Sequence, residues 1–205
     1  MGFLFLDIES FVAPDNERSG LNPHHPESAV IVIAYNYYNL LKAPIASEIK
    51  KPEFLYIWKE NGEKELLQRF YDILDEIYSH DKFLKIVGFN HLAYDLPYLF
   101  SRMQKYEIAN NITLFDYLFS KARHTDLAQL GMAVSEKTKK DEDFRCISQK
   151  VINAYFDIPV KEADGKDVSK FYEKKRYDLI EKYVTEEFTF ETLYLSILEY
   201  FIFVN

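Results

Sequence analysis

The chain has 205 residues, 48% hydrophobic and 17% aromatic, and carries 33 acidic against 25 basic residues for a formal net charge of −8. This size and composition suit one packed domain over residues 1–205 and exclude a disordered chain. The lone cysteine, Cys146, excludes an internal disulfide framework and a multi-cysteine zinc site, and no apolar run approaches the roughly 20 residues of a membrane-spanning helix.

Residues 3–10, Phe-Leu-Phe-Leu-Asp-Ile-Glu-Ser, form an apolar strand that gains two carboxylates at positions i and i+2. Strand side chains alternate faces, so Asp7 and Glu9 point the same way. Two like charges on one face are costly unless a cation or several donors sit between them. Residues 11–26 follow without periodicity and read as a functional or mobile loop beside these acids. Its His24-His25 pair reads as exposed polar loop, with contact to substrate or metal as the other option. Strands are expected at 29–38 and 54–58, and Asn61-Gly62 turns the chain into a helix over 63–78. Leu66, Leu67, Phe70, Ile73, Leu74 and Ile77 make one stripe along that helix.

A buried strand at 83–87 runs into Gly88-Phe89-Asn90 and then a helix over 96–106, so Asp95 stands at a strand–turn–helix junction, where α/β folds hold their sites. Taken alone, Asp95 reads equally well as a helix cap ahead of Pro97. Residues 112–115 suggest a short edge strand, and 116–119 and 126–132 look helical or irregular. The charged run 135–143 reads as an exposed loop, with helices expected at 147–156 and 168–175. Residues 177–203, free of Gly and Pro, read as one long helix carrying Tyr183 and Glu187 on a shared face.

Three motifs, Asp7-x-Glu9, Asn90-x(4)-Asp95 and Tyr183-x(3)-Glu187, resemble those of the DnaQ-like (DEDD, DEDDy-type) 3′–5′ exonucleases. Residues 147–195 look most like exonucleases related to the proofreading domain of family B DNA polymerases. The resemblance covers nearly the whole chain and implies an α/β, ribonuclease H-like fold: a mixed central sheet flanked by helices, with a long C-terminal helix. It departs at one place, since the family's last acid is normally Asp and here Glu187 stands there, with Glu186 as the neighbour that breaks the spacing.

The resemblance implies two divalent ions, Mg²⁺ or Mn²⁺, for which carboxylate oxygens are suitable hard ligands. In that pattern Asp7 bridges both ions, Glu9 serves one and orients the attacking water, Asp95 and Glu187 hold the outer sides, and Tyr183 positions the water. Ser10, Phe11 and Asn90 are the candidates for contact with the terminal nucleotide. The implied activity is hydrolysis at the 3′ end of single-stranded nucleic acid, DNA before RNA, in a cytoplasmic protein of DNA repair without membrane contact.

The negative charge argues against coating of duplexes but not against digestion of an end, where metal ions supply local positive charge. The basic clusters, Lys137, Lys139 and Lys140 together with Lys174, Lys175 and Arg176, either guide phosphates or are solvated surface. Two alternatives belong to other classes: a catalytically degenerate exonuclease fold acting as a binding or interaction module, and a metal-dependent phosphatase or nucleotide hydrolase.

Overall fold

A ten-residue strand, β1 (Gly2–Phe11), forms the middle of a five-stranded mixed sheet in the order β3-β2-β1-β4-β5. The computed structural model describes residues 2–12, 22–39, 44–134, 147–160 and 165–203. Strand β2 (Ala29–Asn39) pairs antiparallel with β1 on one side and with β3 (Glu53–Tyr56) on the other. Strand β4 (Leu84–Gly88) lies parallel to β1, and β5 (Arg123–Asp126) parallel to β4. The carboxyl ends of β1, β4 and β5 therefore open onto the same edge, the position at which open α/β sheets present ligand sites.

Alternation along β1 divides the core. Leu4, Leu6 and Ile8 join Leu66, Phe70 and Leu74 of α1 (Glu63–His80) and Leu96, Leu99 and Met103 of α2 (Asp95–Lys105). Phe3 and Phe5 join the opposite layer, built from α4 (Leu127–Val134), α5 (Gln149–Tyr155) and α8 (Phe190–Phe203). Full burial of such side chains contributes about 1.5–3 kcal/mol each, so β1 is fixed from both faces. Val32 and Tyr56 meet Val168 of α6 (Gly165–Glu173) and Ile180, Tyr183 and Val184 of α7 (Tyr177–Glu187) in a third cluster. Trp58 stacks on Tyr177 with ring centroids 4.4 Å apart and fastens α7 to the end of β3.

Two expectations are corrected, and one strand was not foreseen. The chain does end in a long helix, α8, but residues 177–203 are two helices, because Phe188 leaves the helix at φ −73 and ψ 76. Phe188 and Phe190 are both buried, with rings 5.1 Å apart, and residues two apart on an unbroken helix do not share a face. The expected edge strand at 112–115 is the short helix α3 (Asn111–Phe115), started by Asn110, whose side chain accepts from the Thr113 N–H at 2.9 Å. The edge of the sheet is taken instead by β5, Arg-His-Thr-Asp, which has no apolar residue to mark it.

At the start of β2, a buried ion pair ties helix to helix. Arg102 of α2 donates through Nε and Nη2 to both carboxylate oxygens of Glu63, at 2.7 and 2.5 Å. Glu63 also accepts from the Val30 N–H at 2.8 Å and the Tyr106 hydroxyl at 2.9 Å. No helix among the described residues is long and apolar enough to cross a membrane.

Candidate active site

Beyond Phe5 the face of β1 that carries Phe3 changes from aromatic to acidic with Asp7 and Glu9. A register shift between Glu9 and Ser10 interrupts the pairing with β2 just past the second acid, before it resumes with Ser10 opposite Val30. Glu187, the last residue of α7, completes a cluster: one oxygen each of Asp7, Glu9 and Glu187 lies within 4.8 Å of the others. All three are partly shielded from solvent. Glu186 faces outward toward Lys182, 3.7 Å away.

Asp95 stands outside this cluster but lines the same cavity as Asp7 and Glu187. Its Oδ1 accepts the N–H of Ile8, the residue between the two β1 acids, at 3.0 Å. It is the first residue of α2, with Tyr94 in the capping position. Burial, opposed by hydrogen bonds from main-chain N–H groups of Ile8 and Asp95 itself, pushes its carboxyl up to about 7, and Asp126 and Glu187 add to the rise. Asp7, Asn90, Asp95 and Glu187 line one cavity of about 410 Å³, walled also by Phe89 and by Ile147 to Gln149 at the start of α5.

Tyr183 hydrogen-bonds Glu187 from one turn earlier on α7, as the four-residue spacing requires. Burial, then the charges of Glu9, Glu187 and Asp7, hold its phenol far above the usual range, so it stays protonated. Ser10 and Phe11 do not line the cavity. Ser10 Oγ lies 2.6 Å from the hydroxyl of Tyr94, a cavity residue, and Phe11 packs on Tyr172 of α6 with rings 5.3 Å apart.

Asn90 occupies the left-handed region at φ 58, and its carbonyl accepts the N–H groups of Ala93 and Tyr94, both at 3.1 Å. Asn is among the few residues that tolerate this conformation, which explains its place in the turn. What holds the turn down is Asp126, at the end of β5 and outside the three motifs. Its carboxylate accepts from Asn90 N at 2.8 Å, Leu92 N at 3.3 Å and Ala128 N at 3.0 Å. His91 lies fully buried behind it, with Nδ1 3.6 Å from Asp126 and Nε2 3.3 Å from Nδ1 of His124. The only local hint was an acid followed by the apolar start of a helix, Asp126-Leu127-Ala128, a pattern shared by many ordinary caps.

Of the two basic clusters, Lys137, Lys139 and Lys140 lie outside the described residues, as do the run 135–143, residues 13–21 of the first loop and Cys146. Lys174, Lys175 and Arg176 are exposed between α6 and α7, and Arg176 forms an ion pair with Asp178 at 2.9 Å. His24 is exposed in a turn, its N–H held by Asn22 at 2.9 Å.

The donor set fits a hard divalent cation such as Mg²⁺ or Mn²⁺. Such ions prefer carboxylate oxygen, and three carboxylates gathered within 4.8 Å lose their mutual repulsion when a cation sits among them.

Comparison with known proteins matches residues 10–142, well over half of the chain, to the family model of the exonuclease domain of DNA polymerase family B. The matched span holds Asn90, Asp95 and Asp126; Asp7, Glu9, Tyr183 and Glu187 fall outside it. Among solved structures, the family B DNA polymerase from the hyperthermophilic archaeon Pyrobaculum calidifontis is similar with a TM-score of 0.59 at 16% identity, over 98% of this chain and 24% of that one. The zinc-bound complex of E. coli exonuclease I with single-stranded DNA gives a TM-score of 0.48 at 14% identity, over 79% of this chain and 36% of that one. The chain thus spans about a quarter to a third of these proteins, and the likeness to the polymerase is one of fold. No curated protein matches it.

Proposed function

The chain belongs to the exonuclease-domain family of the family B DNA polymerases, and from that premise we propose that it is a metal-dependent 3′–5′ exonuclease acting on single-stranded nucleic acid, DNA in preference to RNA. The observation that carries this reading is the meeting of Asp7, Glu9 and Glu187 within 4.8 Å, at the strand edge where Asp95 shares the cavity. A divalent ion bound there would supply an activated water and stabilise charge on the attacking and leaving oxygens.

The chain's own groups would do the rest. Asp7, Glu9, Asp95 and Glu187 would hold the metal, and Glu9 would also orient the attacking water. A free phenol with a pKa of about 10 is already protonated at neutral pH, and Tyr183 is held higher still, so it would orient the water through its hydroxyl. Phe89 and Ile147 would give the terminal base an apolar surface, and the Asn90 turn would set the depth to which the end enters.

The test is digestion of 5′-labelled single-stranded DNA and RNA with Mg²⁺ or Mn²⁺, comparing the wild type with Asp7→Ala. The expected result is a metal-dependent ladder shortening from the 3′ end, faster on DNA and absent in the variant. A folded protein that binds Mn²⁺ but cleaves neither polymer would instead be a binding module, and turnover confined to mononucleotides would make it a phosphatase.

A further inference from the structure

Glu187 presents its carboxylate from the last residue of a helix. Helix ends fray, because their final carbonyls have no partner within the helix. A glutamate so placed has no fixed reach unless something holds its main chain. Here three donors converge on the Glu187 carbonyl: the Thr189 N–H at 2.7 Å, Gln149 Nε2 at 3.0 Å and the Thr189 hydroxyl at 3.4 Å. Asn153 Nδ2 donates to the Thr189 hydroxyl at 3.0 Å and orients it. Gln149 and Asn153 are one turn apart on α5, so one face of that helix grips the break between α7 and α8. Ile152 of the same helix is fully buried in the cluster that contains Phe188 and Phe190, which makes the grip rigid.

We propose that Gln149, backed by Thr189 and Asn153, is a positioning residue that fixes the Glu187 main chain at the distance from β1 that a glutamate, not an aspartate, can span. The inference rests on the reading of Asp7, Glu9 and Glu187 as a metal site. The clamp accounts for the longer side chain: an aspartate would fall short by about one C–C bond, roughly 1.5 Å, because the held carbonyl keeps the Cα from moving toward the sheet. Gln149 also lines the cavity, so its clamping role must be read without substrate present.

The experiment is a titration of Mn²⁺ into the full chain with no nucleic acid, followed by the signal of free Mn²⁺, with thermal unfolding as the control for folding. Gln149→Met is expected to weaken Mn²⁺ binding roughly 10- to 100-fold, the range found when a group that orients a metal ligand is lost, with a near-native melting curve. Thr189→Val shifts binding the same way and Thr189→Ser restores it, which decides the matter should Gln149→Met fail to fold. Glu187→Asp weakens binding with the clamp intact, and adding Gln149→Met to it weakens binding no further, since the two act on one distance. Wild-type Mn²⁺ affinity in both Gln149→Met and Thr189→Val, with binding lost in Asp7→Ala, overturns the clamp and leaves the metal site standing. Binding indifferent to Asp7→Ala removes the site reading and this proposal with it.

Discussion

The molecule handles buried acid in two opposite ways. Between α1 and α2 the carboxylate of Glu63 is matched by a two-pronged arginine, a main-chain N–H and a tyrosine hydroxyl, all from this chain. At the strand edge, carboxylates are gathered with one another instead: Asp7, Glu9 and Glu187 within 4.8 Å, and Asp95 in the cavity that Asp7 and Glu187 line, with its carboxyl pushed up by burial. The first arrangement is complete when the chain folds. The second sets like charges side by side, and on the proposed reading a cation would relieve their repulsion.

Substitution separates the two. Glu63→Ala leaves Arg102 charged and 1% exposed in the core, and is expected to cost about 3–5 kcal/mol, read as a lower urea midpoint, with cleavage per folded molecule unchanged. Asp7→Ala should do the reverse. It is expected to lower cleavage by about three orders of magnitude, equivalent to about 4 kcal/mol of barrier. It should also abolish the rise in melting temperature that saturating Mn²⁺ gives the wild type, while leaving the metal-free melting temperature equal or higher. Equal loss of stability in both variants would erase the distinction.

Behind the Asn90 turn, burial of the His91 ring holds its pKa down to about 4 against the pull of Asp126. The unfolded chain takes up this proton near 6.5 and the folded chain does not, so stability is full above pH 6.5 and falls as pH drops toward 4. The loss is on the order of 3 kcal/mol, and His91→Gln should flatten that part of the curve of urea midpoint against pH. The smallest effect is expected at Gly88, where β4 closes on β1. A Cβ there would meet the Leu6 carbonyl at 2.7 Å and the His91 Cβ at 2.9 Å, so Gly88→Ala should cost about 1–3 kcal/mol in the same assay. A neutral outcome would show that the turn below the acids can give way.

Much of this was legible locally. The alternation Phe3-Leu4-Phe5-Leu6 followed by Asp7 and Glu9 marks both the strand and the shared face of its acids, since the period of two is a property of the extended backbone. Asn61-Gly62 ahead of an apolar stripe marks α1, and the Gly88 to Asp95 junction marks the second wall of the site. The β5 strand was not legible, because Arg123-His124-Thr125-Asp126 earns its place by register against β4 and not by its own pattern. Nor was Asp126, whose bonds to Asn90 and Leu92 cross 36 and 34 residues.

The sequence by itself determined the kinds of element in the first half, the side on which Asp7 and Glu9 stand and the four-residue step from Tyr183 to Glu187, because each follows from the repeat of a single strand or helix. Only the tertiary structure decided where the last helix breaks, which acid anchors the Asn90 turn and how Glu187 is held in reach of β1. Those outcomes depend on burial and hydrogen bonds between segments distant in sequence, which leave no periodic trace in either partner.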